Sequence, residues 1–206
     1  PFSYYSINLI RRIHMRKYLL HVLIISFVFL LAPTAHVASY AGEVEDAKEE
    51  VRKNPDDAYA HFGLGYAYVI SGKWKEAIKS YKQAIRINPD YAEAHCALGY
   101  VYGNPAGLGK YQEAIKSYKQ AIRINPDYAE AHYYLGVTFG NSGKYQEAIE
   151  PLKQATRLIP NYVDAQFMLG CVYVAIKDRD SALEQYRILK RLNSELANEL
   201  LKVINE

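Results

Sequence analysis

The sequence predicts an all-α solenoid built from helix-turn-helix repeats. Twenty residues from Glu76 to His95 recur unchanged from Glu113 to His132, an offset of 37. A wider self-comparison gives four copies of 34 or 37 residues, which span residues 58–91, 92–128, 129–162 and 163–196. In the first copy two stretches with apolar residues at i, i+3, i+4 and i+7 flank Ser71-Gly72, so each copy reads as a helix A, a turn and a helix B. A period of this length is typical of a repeat array.

Composition supports a folded body and argues against nucleic acid as a partner. Half of the 206 residues are hydrophobic, as in proteins that bury a core. The 25 basic and 22 acidic residues give a net charge of +3. Four of the basic residues precede Gly42, and no acidic residue does. The rest of the chain therefore has 21 basic and 22 acidic residues, a net charge of −1. The body therefore lacks the basic surplus that nucleic acid binding requires.

Residues 1–41 have the pattern of a secretory signal. An apolar run from Tyr18 to Ala32, interrupted only by His21 and Ser26, is too short for a membrane-spanning helix, which needs about 20 apolar residues. Small side chains at Ser39 and Ala41 suit a cleavage site before Gly42. We therefore expect cleavage, with retention as an N-terminal anchor as the alternative.

The signal predicts export, with the bacterial periplasm as the expected destination. An uncleaved N-terminal helix would instead anchor the protein in the inner membrane. A complete signal begins at Met15, so we expect translation to start there and residues 1–14 to be an upstream extension.

The four copies resemble the tetratricopeptide repeat family, whose pattern places an aromatic residue and Leu-Gly on helix A, and Ala, an aromatic residue and Pro on helix B. The glycines and alanines allow helices A and B to cross closely, and they are Gly65, Gly99, Gly136, Gly170, Ala77, Ala114, Ala148 and Ala182. The resemblance implies a right-handed superhelix. Residues 42–57, with Val44, Ala47 and Val51, are expected to form an N-terminal capping helix, and residues 197–206 a C-terminal one.

Histidine or glutamine stands where the family usually carries tryptophan, at His61, His95, His132 and Gln166. Equivalent residues in successive repeats are separated by roughly a helix diameter, about 10 Å, so these side chains cannot share one zinc ion. We interpret the histidines as packed structural residues and predict no metal site.

No enzyme signature occurs in the sequence: it lacks a glycine-rich phosphate loop, HExxH, CxxC and Gly-x-Ser-x-Gly. The repeats and caps occupy nearly everything after the signal. We therefore expect no catalytic residue, no cofactor and a non-catalytic function.

The resemblance implies a concave groove lined by helix A side chains at repeat positions 2, 5, 9 and 12. In this sequence the predicted groove residues are Tyr59, Phe62, Tyr66, Val69, Glu93, Cys96, Tyr100, Glu130, Tyr133, Val137, Asp164, Phe167 and Cys171. They form an aromatic, mildly acidic surface that fits a protein or peptide segment with apolar anchors and basic charge. Packing between neighbouring A helices would account for the same aromatic residues.

The B helices carry a second pattern of eight basic residues, two in each repeat and four residues apart. This basic ladder is predicted on the convex side and consists of Lys82, Arg86, Lys119, Arg123, Lys153, Arg157, Arg187 and Arg191. Anionic lipid or an envelope polymer would suit it. A solvated face is the simpler interpretation, because exposed charges are screened within about 8 Å at physiological salt.

The sequence thus predicts a binding adaptor or assembly scaffold of the cell envelope that contacts a protein or peptide through the groove. The alternative function is peripheral binding to anionic membrane or envelope polymer through the basic ladder. Membrane contact is expected to be secondary, and self-association is left open.

Overall fold

The computed structural model of the chain describes residues 33–104 and 108–205, with side chains from residue 42 onward. Within these ranges there are ten α-helices and no strand, which confirms the predicted all-α class. The predicted start at Met15 and the apolar run from Tyr18 to Ala32 lie outside the described residues. Among the helices that are described, none is both long and apolar enough to cross a membrane.

The chain divides into two compact units, one ending at Ile87 and the other beginning at Asn88. The first unit contains α1 (Pro33–Lys53), α2 (Ala58–Ile70) and α3 (Trp74–Ile87). The second unit contains α4 (Ala92–Gly103), α5 (Tyr111–Ile124), α6 (Ala129–Asn141), α7 (Tyr145–Leu158), α8 (Val163–Ala175), α9 (Arg179–Leu192) and α10 (Ser194–Asn205). The A helices are therefore α2, α4, α6 and α8, and the B helices are α3, α5, α7 and α9.

Helix α1 covers the apolar side of α2 in the first unit. Val44 is buried against Leu64 and Ala67, and Ala47 and Val51 pack beside it. The helix is continuous over Pro33–Lys53, so it includes the residues of the predicted cleavage site before Gly42.

Glycine permits the close crossing of helices A and B in the first three repeats. A Cβ atom on Gly65 would lie 2.5 Å from the Tyr81 ring, and one on Gly99 would lie 2.8 Å from the Tyr118 ring. A Cβ atom on Gly136 would lie 2.5 Å from the Leu152 side chain. Because real Cβ atoms do not approach other atoms so closely, the expected reason for these glycines is confirmed.

The fourth residue of each of the first three repeats is a histidine that hydrogen-bonds to the loop before its A helix. The Nε2 atoms of His61, His95 and His132 lie 2.9, 3.0 and 2.9 Å from the carbonyl oxygens of Pro55, Pro89 and Pro126. A carbonyl oxygen only accepts, so Nε2 must carry the proton in each case. In the fourth repeat the Nε2 atom of Gln166 donates to Pro160 in the same way, at 3.3 Å.

Helix α10 closes the second unit by packing against both α8 and α9. It buries Leu196, Leu200 and Ile204. The guanidinium of Arg179, at the start of α9, donates to the Ile204 carbonyl and to Asn205 Oδ1. These bonds satisfy groups that the end of a helix otherwise leaves to water.

Candidate functional site

The A helices place the predicted binding residues on one side because positions three and four apart share a helix face. Burial decides which of these side chains reach solvent.

In the first unit, α2 presents an exposed aromatic surface. Tyr59 is 70% exposed and Tyr66 is 58% exposed, values high for large apolar side chains. Between them Phe62 is half-buried, with its ring 5.5 Å from that of Tyr81, and Val69 is half-buried further along. We call Tyr59, Phe62, Tyr66 and Val69 the α2 face.

In the second unit, three exposed carboxylates occupy the first turns of successive A helices. They are Glu93 on α4, Glu130 on α6 and Asp164 on α8. An acid in this position also stabilises its own helix through the macrodipole. The carboxylates nevertheless give this side of the unit a negative rim.

A cluster of tyrosine rings lies beside this rim. The ring of Tyr133 is 5.2 Å from Tyr134 and 5.0 Å from Tyr162, and Tyr134 is 5.7 Å from Tyr100. All four residues are half-buried, so each ring both packs against its neighbours and reaches solvent. The predicted Tyr100 and Tyr133 therefore serve packing between helices as well as the surface.

Two tyrosines that precede A helices contribute hydroxyl groups near the carboxylates. Burial raises the pKa of Tyr128, and Cys96, Glu130 and Glu93 raise it further. Burial also raises the pKa of Tyr162, with further contributions from Tyr134, Glu130 and Asp164. Both phenols therefore stay protonated at neutral pH. Their recurrence with Tyr91 at the last position of a repeat is the sequence signal that could have revealed them, whereas Tyr134 has no such signal.

Three of the predicted binding residues are buried and correct the predicted surface. Cys96 is 5% exposed, Phe167 5% and Cys171 4%, so they do not present surface to a ligand. Burial raises the pKa of the Cys96 thiol to about 12, although a hydrogen bond with Tyr128 opposes the shift. On α8 the cause is coverage by α7, α9 and α10 together. Val137 is half-buried on α6.

All eight residues of the predicted basic ladder are exposed. Arg123 Nε donates to Gln120 at 3.1 Å and Arg157 Nε to Gln154 at 2.8 Å, both neutral partners on the same helix. The Lys119 ammonium lies 5.8 Å from the centre of the Phe139 ring. Among the described residues, no group of three or more His, Cys, Asp or Glu side chains is placed to hold a metal ion.

Comparison with protein families identifies the fold. Models described as "TPR repeat" and "Tetratricopeptide repeat" match residues 65–104, 107–143, 129–162 and 164–195, which together exceed half of the chain. The chain belongs to the tetratricopeptide repeat family. No curated protein matches the chain in sequence.

Solved tetratricopeptide repeat structures share the arrangement. The crystal structure of MamA has a TM-score of 0.70 and 25% identity over 78% of this chain and 92% of that one. YrrB, described as a TPR protein with an unusual peptide-binding site, has a TM-score of 0.66 and 23% identity, covering 82% of this chain and 86% of that one. The first TPR of Spaghetti (RPAP3), bound to the HSP90 peptide SRMEEVD, has a TM-score of 0.56 and 23% identity, covering 59% of this chain and 94% of that one.

Proposed function

We propose that this tetratricopeptide repeat protein is a non-catalytic scaffold of the cell envelope that binds a protein or peptide segment through the solvent-exposed sides of its A helices. We call these sides the A-helix faces: the α2 face in the first unit, and the negative rim with its neighbouring tyrosines in the second. The exposure of Tyr59 and Tyr66 is the observation that carries the proposal. Tyrosine supplies a large apolar area at low cost in side-chain entropy, and aromatic anchors commonly dominate binding energy.

The charge of the second unit indicates the kind of ligand. Glu93, Glu130 and Asp164 favour a segment with lysine or arginine beside its apolar residues. The half-buried Tyr100 and Tyr133 supply rings over which such cations can lie. A carboxylate-clamping mode is not favoured, because Phe62 and Tyr66 stand where clamping members of the family carry lysine and asparagine.

Related folds support this mode of binding. Peptide binding is stated for YrrB and for the first TPR of RPAP3, and both resemble this chain in fold. The exposed residues of α2, Tyr59 and Tyr66, occupy repeat positions 2 and 9. These are positions at which the family resemblance places ligand contacts.

The location in the envelope rests on the signal pattern over residues 1–41. N-terminal sequencing of the exported protein is expected to give a chain that begins at Gly42. Recovery in the membrane fraction of a chain that retains Tyr18 to Ala32 would replace the periplasmic location with an anchored one.

Selection from a displayed library of random peptides tests the binding mode. The wild-type protein is expected to enrich peptides that combine aliphatic or aromatic residues with lysine or arginine. Tyr59→Ser and Tyr66→Ser should each weaken binding of the selected peptides by at least about 2 kcal/mol if these rings are anchors. Both side chains are exposed, so the circular dichroism spectrum and melting temperature should stay unchanged.

Charge reversal on a B helix provides the matched control. Lys82→Glu and Lys119→Glu alter exposed residues outside the A-helix faces and should leave peptide affinity near the wild-type value. Loss of binding in these variants, with unchanged binding in the tyrosine variants, would overturn the proposal. A pull-down from envelope extract with mass spectrometry would then identify the natural partner.

A further inference from the structure

The C-terminal halves of the B helices in the second unit are basic and contain no acid. Their exposed cations are Lys119, Arg123, Lys153, Arg157, Arg187, Lys190 and Arg191. The acids of the same helices all lie in the first halves, at Glu113, Glu147, Glu150, Asp180 and Glu184. Positive charge is therefore concentrated at one end of each helix.

These helix ends lie at the same edge of the second unit. Short turns join each helix A to its helix B and each helix B to the next helix A, so neighbours are antiparallel and the B helices run parallel to one another. The ends of α5, α7 and α9 thus form what we call the basic edge. Exposed acids also lie at this edge, at or just before the first turns of the helices that begin there: Asp90, Glu93, Asp127, Glu130, Asp164 and Glu195. They belong to the starts of α4, α6, α8 and α10, whereas the ends of the B helices carry the seven cations and no acid.

Two exposed aliphatic side chains occupy the same edge. Ile159, at the C-terminal cap of α7, is 40% exposed, and Leu192, the last residue of α9, is 36% exposed. Within the described part of the second unit, they are the large hydrophobic side chains that reach this level of exposure. Each lies within two residues of a ladder cation, Arg157 or Arg191.

Ile159 departs from the array's own pattern. The equivalent residues are asparagines, and Asn88, Asn125 and Asn193 each accept a hydrogen bond from the backbone N–H two residues later, at 3.1, 3.2 and 3.1 Å. Isoleucine cannot accept this bond. Ile159 therefore exposes apolar surface at a position where asparagine would stabilise the turn.

Helix stability alone does not explain this combination. A cation in the last turn interacts favourably with the helix dipole, which accounts for Arg123, Arg157 and Arg191. The dipole effect fades beyond the last turn and gives no reason for Lys119, Lys153 or an exposed isoleucine. Cations beside exposed aliphatic residues are instead typical of surfaces that rest on anionic lipid.

We propose that the basic edge is a peripheral contact for a membrane surface rich in anionic phospholipid. The cations bind lipid phosphates, and Ile159 and Leu192 enter the boundary between headgroups and acyl chains. A soluble polyanion would satisfy the cations but would offer nothing apolar to the two aliphatic side chains. This contact is independent of the A-helix faces and would leave them available to a protein ligand.

A polarity-sensitive dye on the full chain tests this contact locally. Asn161→Cys places a reactive thiol on an exposed residue beside Ile159, whereas Cys96 and Cys171 are buried. Vesicles of phosphatidylcholine with phosphatidylglycerol should shift the dye emission to shorter wavelength, and the shift should shrink as salt is raised. Vesicles of phosphatidylcholine alone, and heparin as a soluble polyanion, should produce no shift.

Matched variants in the labelled chain separate the two parts of the contact. Arg157→Gln with Arg191→Gln should lower vesicle affinity by about fivefold for each cation removed. Ile159→Asn restores the residue of the other three repeats, so it should lower vesicle affinity severalfold without lowering the melting temperature. An equal shift with uncharged vesicles or with heparin, or a response that neither variant reduces, would overturn the proposal.

Discussion

Leu200 of α10 packs against Gly170 of the fourth repeat. In each of the other three repeats, a side chain from helix B packs against the equivalent glycine. Its Cδ2 atom lies 2.5 Å from where a Cβ atom on Gly170 would stand, and the next neighbour from α9 is Gln185 Cβ at 3.3 Å. Leu200 is fully buried, whereas Tyr186, the α9 counterpart of Tyr118, is half-exposed. The fourth repeat is therefore completed by the C-terminal helix.

This contact predicts strong coupling between Gly170 and Leu200. Gly170→Ala should lower the free energy of unfolding by about 1–3 kcal/mol through overpacking, and Leu200→Ala by about 2–5 kcal/mol through a cavity. In the double variant the added methyl group occupies part of that cavity, so its cost should be less than the sum. Urea unfolding of the four proteins measures the coupling energy.

Gly63→Ala is the control for the effect of alanine on a helix. No atom outside its own helix backbone lies within 4 Å of a Cβ atom on Gly63, which sits inside α2. The substitution should raise the free energy of unfolding by about 0.5–1 kcal/mol. Strict additivity of the Gly170 and Leu200 variants would show that α10 does not dock on α8 as described.

A backbone feature shared by all four repeats predicts a stabilising substitution. The turn between helices A and B places Gly72, Gly109 and Gly143 at φ of 71°, 61° and 79°, and Lys177 at 64° in the fourth repeat. A side chain in the left-handed region costs about 1–2 kcal/mol, partly offset by the lower chain entropy of a non-glycine residue. Lys177→Gly should therefore raise the free energy of unfolding by about 0.5–1 kcal/mol.

Thermal unfolding of Lys177→Gly and Lys177→Ala separates the backbone effect from loss of the lysine side chain. Only the glycine variant should gain stability, since alanine retains a Cβ atom at the same φ. A gain in both variants would instead attribute the strain to the lysine side chain.

Contacts that recur within each repeat were predictable from the sequence. Burial and contacts that depend on neighbouring repeats were not. The close approach at Gly65 and the structural role of His95 follow from position within a repeat, since the first three copies make the same contacts. Burial of Phe167 depends on how many helices cover α8, which the repeat pattern does not encode. The contact of Tyr133 with Tyr162 likewise joins α6 to the residue before α8, so it appears only when the chain is folded.

The bond between His132 and the Pro126 carbonyl predicts a test of chemistry at the fourth repeat position. His132→Gln keeps an N–H donor, as Gln166 does in the fourth repeat, and should change the free energy of unfolding little. His132→Leu removes the donor and should cost about 1 kcal/mol. Urea unfolding compares the two variants, and equal stability of the leucine variant and the wild type would rule out a stabilising role for this hydrogen bond.

Burial of Cys96 predicts that the protein loses stability in alkaline solution. The pKa of the thiol rises from a reference value of 9.0 to about 12 in the folded protein, chiefly through burial. Between these two values the folded state retains a proton that the unfolded state releases, so the free energy of unfolding falls as pH rises. One such group contributes a slope of at most about 1.4 kcal/mol per pH unit, and the raised pKa values of Tyr128 and Tyr162 act in the same direction.

Urea unfolding between pH 8 and pH 11 measures this slope for the wild type and for Cys96→Ala. The variant loses packing and starts from a lower stability, so the slopes are compared rather than the absolute values. Cys96→Ala should decline less steeply because one of the shifted groups is gone. An identical slope in Cys96→Ala and the wild type would mean that the Cys96 thiol has the same pKa in the folded and unfolded chains, which would contradict the effect assigned to its burial.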